Sequence, residues 1–265
     1  MQTGISTASL FRRYDTANAV SRLCKNGIDC AEVFLESFSS YNKRYGKKIN
    51  KINKGMDIHS VHTLTTQFEP QLYSVNRVAQ EDSFKILEKT MQCAKIMNAK
   101  YYTFHGSALF KKLPYVLDYN KHAENTKRII EITEKYGVTL AYENVHWCSY
   151  NKLGFFSELK KLVPNLKATL DVKQARLSGI NHFDLIDEMK GDVVTVHLSD
   201  VDENGKMCLP LSKNGTIDFE RLFIALKAVK FDGAFIIEAY PGDYQEEDEL
   251  YESYNKIKRL ANQIF

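Results

Sequence analysis

Residues 138–145 read Val-Thr-Leu-Ala-Tyr-Glu-Asn-Val, an apolar run that carries a carboxylate, Glu143, near its C-terminal end. A run this short and this apolar suits a parallel strand buried on both faces. Gly137 stands just before it, where the preceding helix would end. The same unit recurs along the chain. Similar runs occupy residues 3–7, 30–35, 57–63, 100–105, 166–172, 193–199 and 234–240, which makes eight in all.

Amphipathic stretches separate most of these runs. Phe84, Leu87, Met91, Ala94 and Met97 recur at steps of three and four and so share one helix face. Ile129, Ile130, Ile132 and Thr133 do much the same in 127–136. Asp218 stands as an N-cap before 219–229, and Gly27 and Gly233 precede strands as Gly137 does. Residues 38–55 are polar and basic and give only a weak helical pattern. Eight strands alternating with helices over roughly 250 residues predict a (β/α)8 TIM barrel, an α/β fold, as a single domain over 1–265. The rival is an open doubly wound sheet. Its nucleotide-binding forms lose support, because no Gly-x-Gly-x-x-Gly follows the first strand and no phosphate-binding Gly-Lys-Ser/Thr loop occurs.

Composition narrows the class. The chain has 265 residues, 44% apolar and 26% charged, and 36 Lys+Arg nearly match 33 Asp+Glu for a net charge of +3. Such a balance demands neither nucleic acid nor a membrane as partner. No apolar run approaches the ~20 residues that span a bilayer. The first residues lack the charged and apolar regions of a signal peptide. Five cysteines (Cys24, Cys30, Cys93, Cys148, Cys208) include no C-x-x-C pair, which fits a reducing, cytoplasmic setting.

In such a barrel the C-terminal strand ends carry the chemistry. His62 ends the third run, His105 the fourth, Glu143 the fifth, Asp171 the sixth, His197 with Asp200 the seventh, and Glu238 the eighth. A lone histidine or carboxylate at a strand end is commonly a hydrogen-bonded core residue, a cap or a salt-bridge partner. Three carboxylates set in apolar strands around one axis are another matter. Burying them costs several kcal/mol per ion unless positive charge compensates. No arginine lies among these strand ends, and the only lysine is Lys173. A divalent metal meets the need. Glu143, Asp171, His197 and Glu238 form a mostly oxygen set with one imidazole, suited to Mn²⁺, Mg²⁺, Co²⁺ or Zn²⁺. His62 and His105 could hold a second ion beside Glu143 or bind a polyol, and the second role is expected. Phe68, Trp147, Tyr150 and Tyr240 fall just past strand ends and either wall a sugar or pack loops.

These motifs, Ser-Val-His62, Phe-His105-Gly, Tyr-Glu143-Asn, Leu-Asp171, Val-His197-Leu-Ser-Asp200, Leu209-Pro-Leu through Gly215-Thr-Ile-Asp-Phe, and Ile-Glu238, resemble the xylose isomerase-like TIM-barrel superfamily over nearly the whole chain. That superfamily includes sugar isomerases and epimerases, inosose dehydratase and the three-zinc apurinic endonucleases. The resemblance implies that Glu143, Asp171, His197 and Glu238 hold the metal. It implies that Glu143 and Glu238 are the acid–base pair. His62, His105, Lys173, Gln174 and Trp147 are expected to bind the substrate. The family often has a histidine where this chain has Gln174, and the third-zinc Asp and His have no counterpart in residues 207–215.

The expected activity is therefore proton transfer beside the carbonyl of a sugar or sugar phosphate through a cis-enediolate. Return on the same face isomerises the sugar, and return on the opposite face epimerises it. An inosose dehydratase-like lyase and an apurinic endonuclease-type phosphodiesterase are the alternatives, together with a sugar-binding relative without catalysis. The phosphodiesterase draws on the basic run Lys43, Arg44, Lys47, Lys48, Lys51 and Lys54, which could follow a phosphate backbone. Otherwise that run is a solvated face, or is neutralised by the acidic run of residues 243–252 within the molecule or across a homo-oligomer. The expected partner is a small sugar, with no nucleic acid and no membrane.

Overall fold

The computed structural model describes residues 1–109 and 116–265. Eight parallel strands close into a barrel. They are Gln2–Ser6, Cys30–Leu35, Asp57–Thr63, Tyr101–Phe104, Thr139–Glu143, Lys167–Asp171, Val193–Leu198 and Ala234–Ile237. The eight apolar runs of the sequence are these eight strands, within one to three residues at each end. A short antiparallel ribbon, Asp200–Val201 with Met207–Cys208, is added after the seventh strand.

Helices surround the barrel. Lys43–Ile52 is one of them, with the Asn42 side chain accepting from Tyr45 N. Its pattern is faint in sequence because its apolar inner face is narrow, with Ile49 buried and Tyr45 and Ile52 partly buried. Arg77–Ile96 and Tyr119–Lys135 begin earlier than their apolar spacing suggests, each at a capping residue, Asn76 or Asp118. Asp218 caps Phe219–Ala228 as expected, accepting from Arg221 N.

Two glycines are fixed by geometry. Gly233 does not take a left-handed cap, since Lys230 holds that conformation at φ 60°. Gly233 is small for a different reason, because a Cβ there would stand 2.0 Å from Val194 O. Gly106, directly after His105, has φ +79° and would drive a Cβ into the Tyr142 hydroxyl. It lets the chain turn away immediately past that histidine.

The main apolar core lies between strands and helices. Inside the barrel the only separate apolar cluster among the described residues is Cys30, Ala234 and Ile236. The rest of the interior near the strand ends is polar, with Ser6, Glu32, Ser60, His62, Thr103, Glu143 and His197 all buried. The five cysteines are free. No helix among the described residues is long and apolar enough to cross a membrane.

Candidate active site

The parallel register assembles the site. Asp171 pairs directly with His197, and His197 with Ile236, so Glu238, two residues on, stands just past the end of its strand. One ligand atom each from Glu143, Asp171, His197 and Glu238 lies within 4.8 Å of the others, and all four side chains are buried. His197 Nδ1 is 3.3 Å from Glu143 Oε1, 3.4 Å from Glu238 Oε2 and 3.9 Å from Asp171 Oδ2. The four predicted ligands therefore do converge.

His62 and His105 converge with Glu143 into a second group with the same spacing. His105 Nδ1 shares a 2.5 Å hydrogen bond with Thr65 Oγ1, and its Nε2 stands 2.8 Å from Glu143 Oε2. His62 packs edge-on against His105 and lies 3.5 Å from Glu32 Oε1 and 3.6 Å from Glu238 Oε1.

Glu32, on the second strand, was not singled out from the sequence, yet it is central. Its carboxylate accepts from Ser6 Oγ, Ser60 Oγ and Thr103 Oγ1 at 3.1, 2.8 and 2.6 Å, and His197 Nε2 donates to it at 3.2 Å. It fixes which imidazole nitrogen of His197 faces the other three carboxylates, the role that carboxylates commonly play behind metal-binding histidines. Glu69 was also missed. It accepts from Tyr102 Oη, Thr63 Oγ1 and the His105 backbone N–H. The sequence signal for Glu32 is a lone carboxylate inside the apolar run Cys-Ala-Glu-Val-Phe-Leu.

Electrostatics explain what the group needs. Burial alone would raise the Glu143 carboxyl, but His105 and His197 outweigh it and bring it down to about 2. Glu32 and Glu238 are held low in the same way, against burial, by His197 with His62 or Lys173. Asp171 is pushed up to about 7, chiefly by burial and only partly relieved by Lys173. Burial would discharge His62 and His197, yet the surrounding carboxylates raise both imidazoles well above their ordinary range. Protons on His62 and His197, together with the Lys173 ammonium, thus supply the positive charge that the carboxylates require.

Asp171 Oδ2 and both nitrogens of His62 are buried without a hydrogen bond. Buried polar atoms are ordinarily bonded. Orphaned oxygen and nitrogen donors converging in one polar pocket fit a divalent cation, which would displace these protons.

Other expected contacts divide. Lys173 is buried in the site, 3.7 Å from Glu238 Oε2, with its ammonium over the Tyr240 ring at 4.4 Å. Trp147 packs edge-on against His105 and is partly open. The Gln174 side-chain oxygen already accepts from His146 Nδ1 at 2.6 Å. Of the two roles open to the aromatics, Phe68 and Tyr150 take the packing one. Phe68 is buried against Tyr41, and Tyr150 stacks on Phe155 and Phe156, so both are loop and core packing rather than sugar walls. Asp200 stands apart from the ligand group. Its Oδ1 accepts from the N–H groups of Val201, Thr216 and Ile217, tying the loop back onto the ribbon.

No curated protein matches the chain in sequence. Solved structures match over its full length. They include a D-tagatose 3-epimerase-like protein, 16% identical, with 99% of both chains covered and a TM-score of 0.77. D-psicose 3-epimerase of Clostridium cellulolyticum H10, solved with D-tagatose, is 14% identical and covers 100% of this chain and 99% of its own, with a TM-score of 0.78. The IOLI protein with a bound zinc atom is 16% identical over 100% of this chain and 99% of its own, with a TM-score of 0.75. At these identities the likeness concerns the fold. The family model described as xylose isomerase-like TIM barrel, by contrast, matches residues 20–260 in sequence. The chain belongs to the xylose isomerase-like TIM barrel family.

Proposed function

We propose that the protein is a divalent-metal-dependent isomerase or epimerase of small sugars or sugar phosphates. The observation that carries this reading is the convergence of Glu143, Asp171, His197 and Glu238 at the barrel mouth. Sugar epimerases of the same fold, named for D-tagatose, D-psicose or L-ribulose, lend support.

When bound, a divalent cation supplies the positive charge that offsets negative charge developing on the sugar oxygens. Glu143, Asp171, His197 and Glu238 would hold it. Glu143 and Glu238, both ionised, are the proton-transfer groups. One takes the proton from the carbon next to the carbonyl, and the same or the other returns it. His105, steadied by Thr65, holds the Glu143 carboxylate. Glu32 holds His197. Trp147 packs edge-on against His105 beside this group.

The direct test is turnover on free ketoses and aldoses with protein loaded with Mn²⁺, Co²⁺, Mg²⁺ or Zn²⁺, against chelated protein. The proposal expects carbohydrate conversion that disappears with the metal. A metal-loaded protein inert on every ketose, aldose and sugar phosphate offered would refute it.

A second reading has one observation in its favour. His62, His105 and Glu143 form a second cation-sized group sharing Glu143 with the first, which suits a two-metal phosphodiesterase. Incision of abasic DNA by wild type and not by Glu143→Gln would favour it over sugar chemistry.

A further inference from the structure

We propose that Lys173 is a resident counter-cation that competes with the divalent ion for Asp171 and Glu238. The inference rests on the metal-site reading above.

The lysine sits second in the helix Val172–Leu177, which starts where the sixth strand ends. A cation in the first turn opposes the helix dipole, so the position does not serve that helix. Nor does it serve solvent, because the Lys173 side chain is only 3% exposed. Its ammonium lies 4.0 Å from Asp171 Oδ2 and 3.7 Å from Glu238 Oε2, and it makes no hydrogen bond. The Tyr240 ring beneath it, at 4.4 Å, supports a cation without binding it tightly.

Asp171 has one uncommitted oxygen. Its Oδ1 is committed to capping the same helix, accepting from Gln174 N at 2.8 Å. Only Oδ2 is left, and Oδ2 has no hydrogen bond. The free oxygen of Asp171 and the outer oxygen of Glu238 thus face one fixed positive charge. Asp171 and Glu238 also belong to the group proposed to hold the metal, and these same two oxygens lie 3.9 and 3.4 Å from His197 Nδ1. An ion taking those two oxygens becomes a close neighbour of the ammonium and is repelled by it. Lys173 would neutralise the carboxylates while no ion is bound. It would also weaken the hold on the ion when one arrives.

This gives Lys173→Met an unusual signature. The substitution keeps the length of the side chain and removes the charge. Mn²⁺ affinity, measured by calorimetry on chelator-stripped protein, should rise at least about tenfold, because the repulsion is gone. The stripped variant should melt below stripped wild type, since its carboxylates lose their only lysine. Lys173→Arg keeps the charge and should bind Mn²⁺ within a few fold of wild type. Lys173→Gln, also uncharged but still a donor, provides the same affinity measurement if the methionine variant does not fold without metal.

Unchanged or weaker Mn²⁺ binding in the uncharged variants would overturn the proposal. So would tighter binding in Lys173→Arg, because the effect would then not follow charge. Wild type binding no Mn²⁺ while Lys173→Met binds it would sink the metal-dependent function and uphold the counter-cation. Tight wild-type binding with no change in Lys173→Met would do the reverse.

Discussion

The site turns on a few side chains whose roles differ in kind. In the proposed chemistry Glu143 and Glu238 serve as ligands and as proton-transfer groups together, and Glu143→Gln and Glu238→Gln keep one oxygen but cannot accept a proton at neutral pH. Each should lower turnover by roughly 10²–10⁴-fold, the usual worth of a general acid or base. Full activity in either variant would remove that residue from the mechanism. Glu32 acts at one remove. Glu32→Gln leaves His197 without its carboxylate acceptor and should weaken metal affinity by roughly 10–100-fold, as loss of such partners typically does. Calorimetric titration with Mn²⁺ checks this, and unchanged affinity would contradict the orienting role. The sequence disclosed the strand-end residues because a histidine or carboxylate closing an apolar run is conspicuous. It hid Glu32, since a carboxylate in mid-strand is conspicuous only when the barrel interior around it is known to be polar. Thr65 and Glu69 were hidden for another reason. They lie in short irregular turns that sequence periodicity does not locate.

At the scale of elements, the strands were the legible part and the helix starts were not. Apolar spacing marks where a helix packs, whereas Asn76 and Asp118 decide where it begins. The helix Lys43–Ile52 carries a cationic outer face. Among the described residues none of Lys43, Arg44, Lys47, Lys48, Lys51 or Lys54 is ion-paired, and Glu247 of the acidic run pairs with Arg22 instead. This face stands outside the proposed chemistry, so Lys47→Glu with Lys51→Glu should leave sugar turnover unchanged; a large loss would point to phosphate tracking.

The helix Tyr119–Lys135 carries a pH dependence. His122 shares a 3.0 Å hydrogen bond with Tyr142 Oη and stacks on Tyr73. Burial pushes its imidazole down to about 3. An unfolded histidine titrates near ~6.5, so in the interval between these values the unfolded chain binds a proton that the fold refuses. Stability is therefore full above about pH 6.5 and falls as pH drops toward 3. Burial pushes His59 down to about 4, which acts in the same sense. In urea unfolding with chelator present, wild type should lose roughly 2 kcal/mol more than His122→Asn between about pH 7 and 5. Equal losses would contradict the assignment.

In the whole molecule, a closed barrel with an apolar shell holds an unusually polar interior at one end. The sequence carried the fold because eight short apolar runs leave few other arrangements. It also carried the convergence of Glu143, Asp171, His197 and Glu238, because three carboxylates at strand ends around one axis stand out. It did not carry how these charges balance in the folded protein, which depends on distances that only the closed barrel sets. The central claim is that this group moves a proton at the carbon beside a sugar carbonyl. The most direct measurement is solvent deuterium incorporation at that carbon, followed by NMR on ketoses and aldoses with metal-loaded protein. Wild type should wash deuterium in, even where net conversion is slow, and Glu143→Gln with Glu238→Gln should not. Metal-loaded wild type that exchanges no proton with any sugar offered would contradict the account.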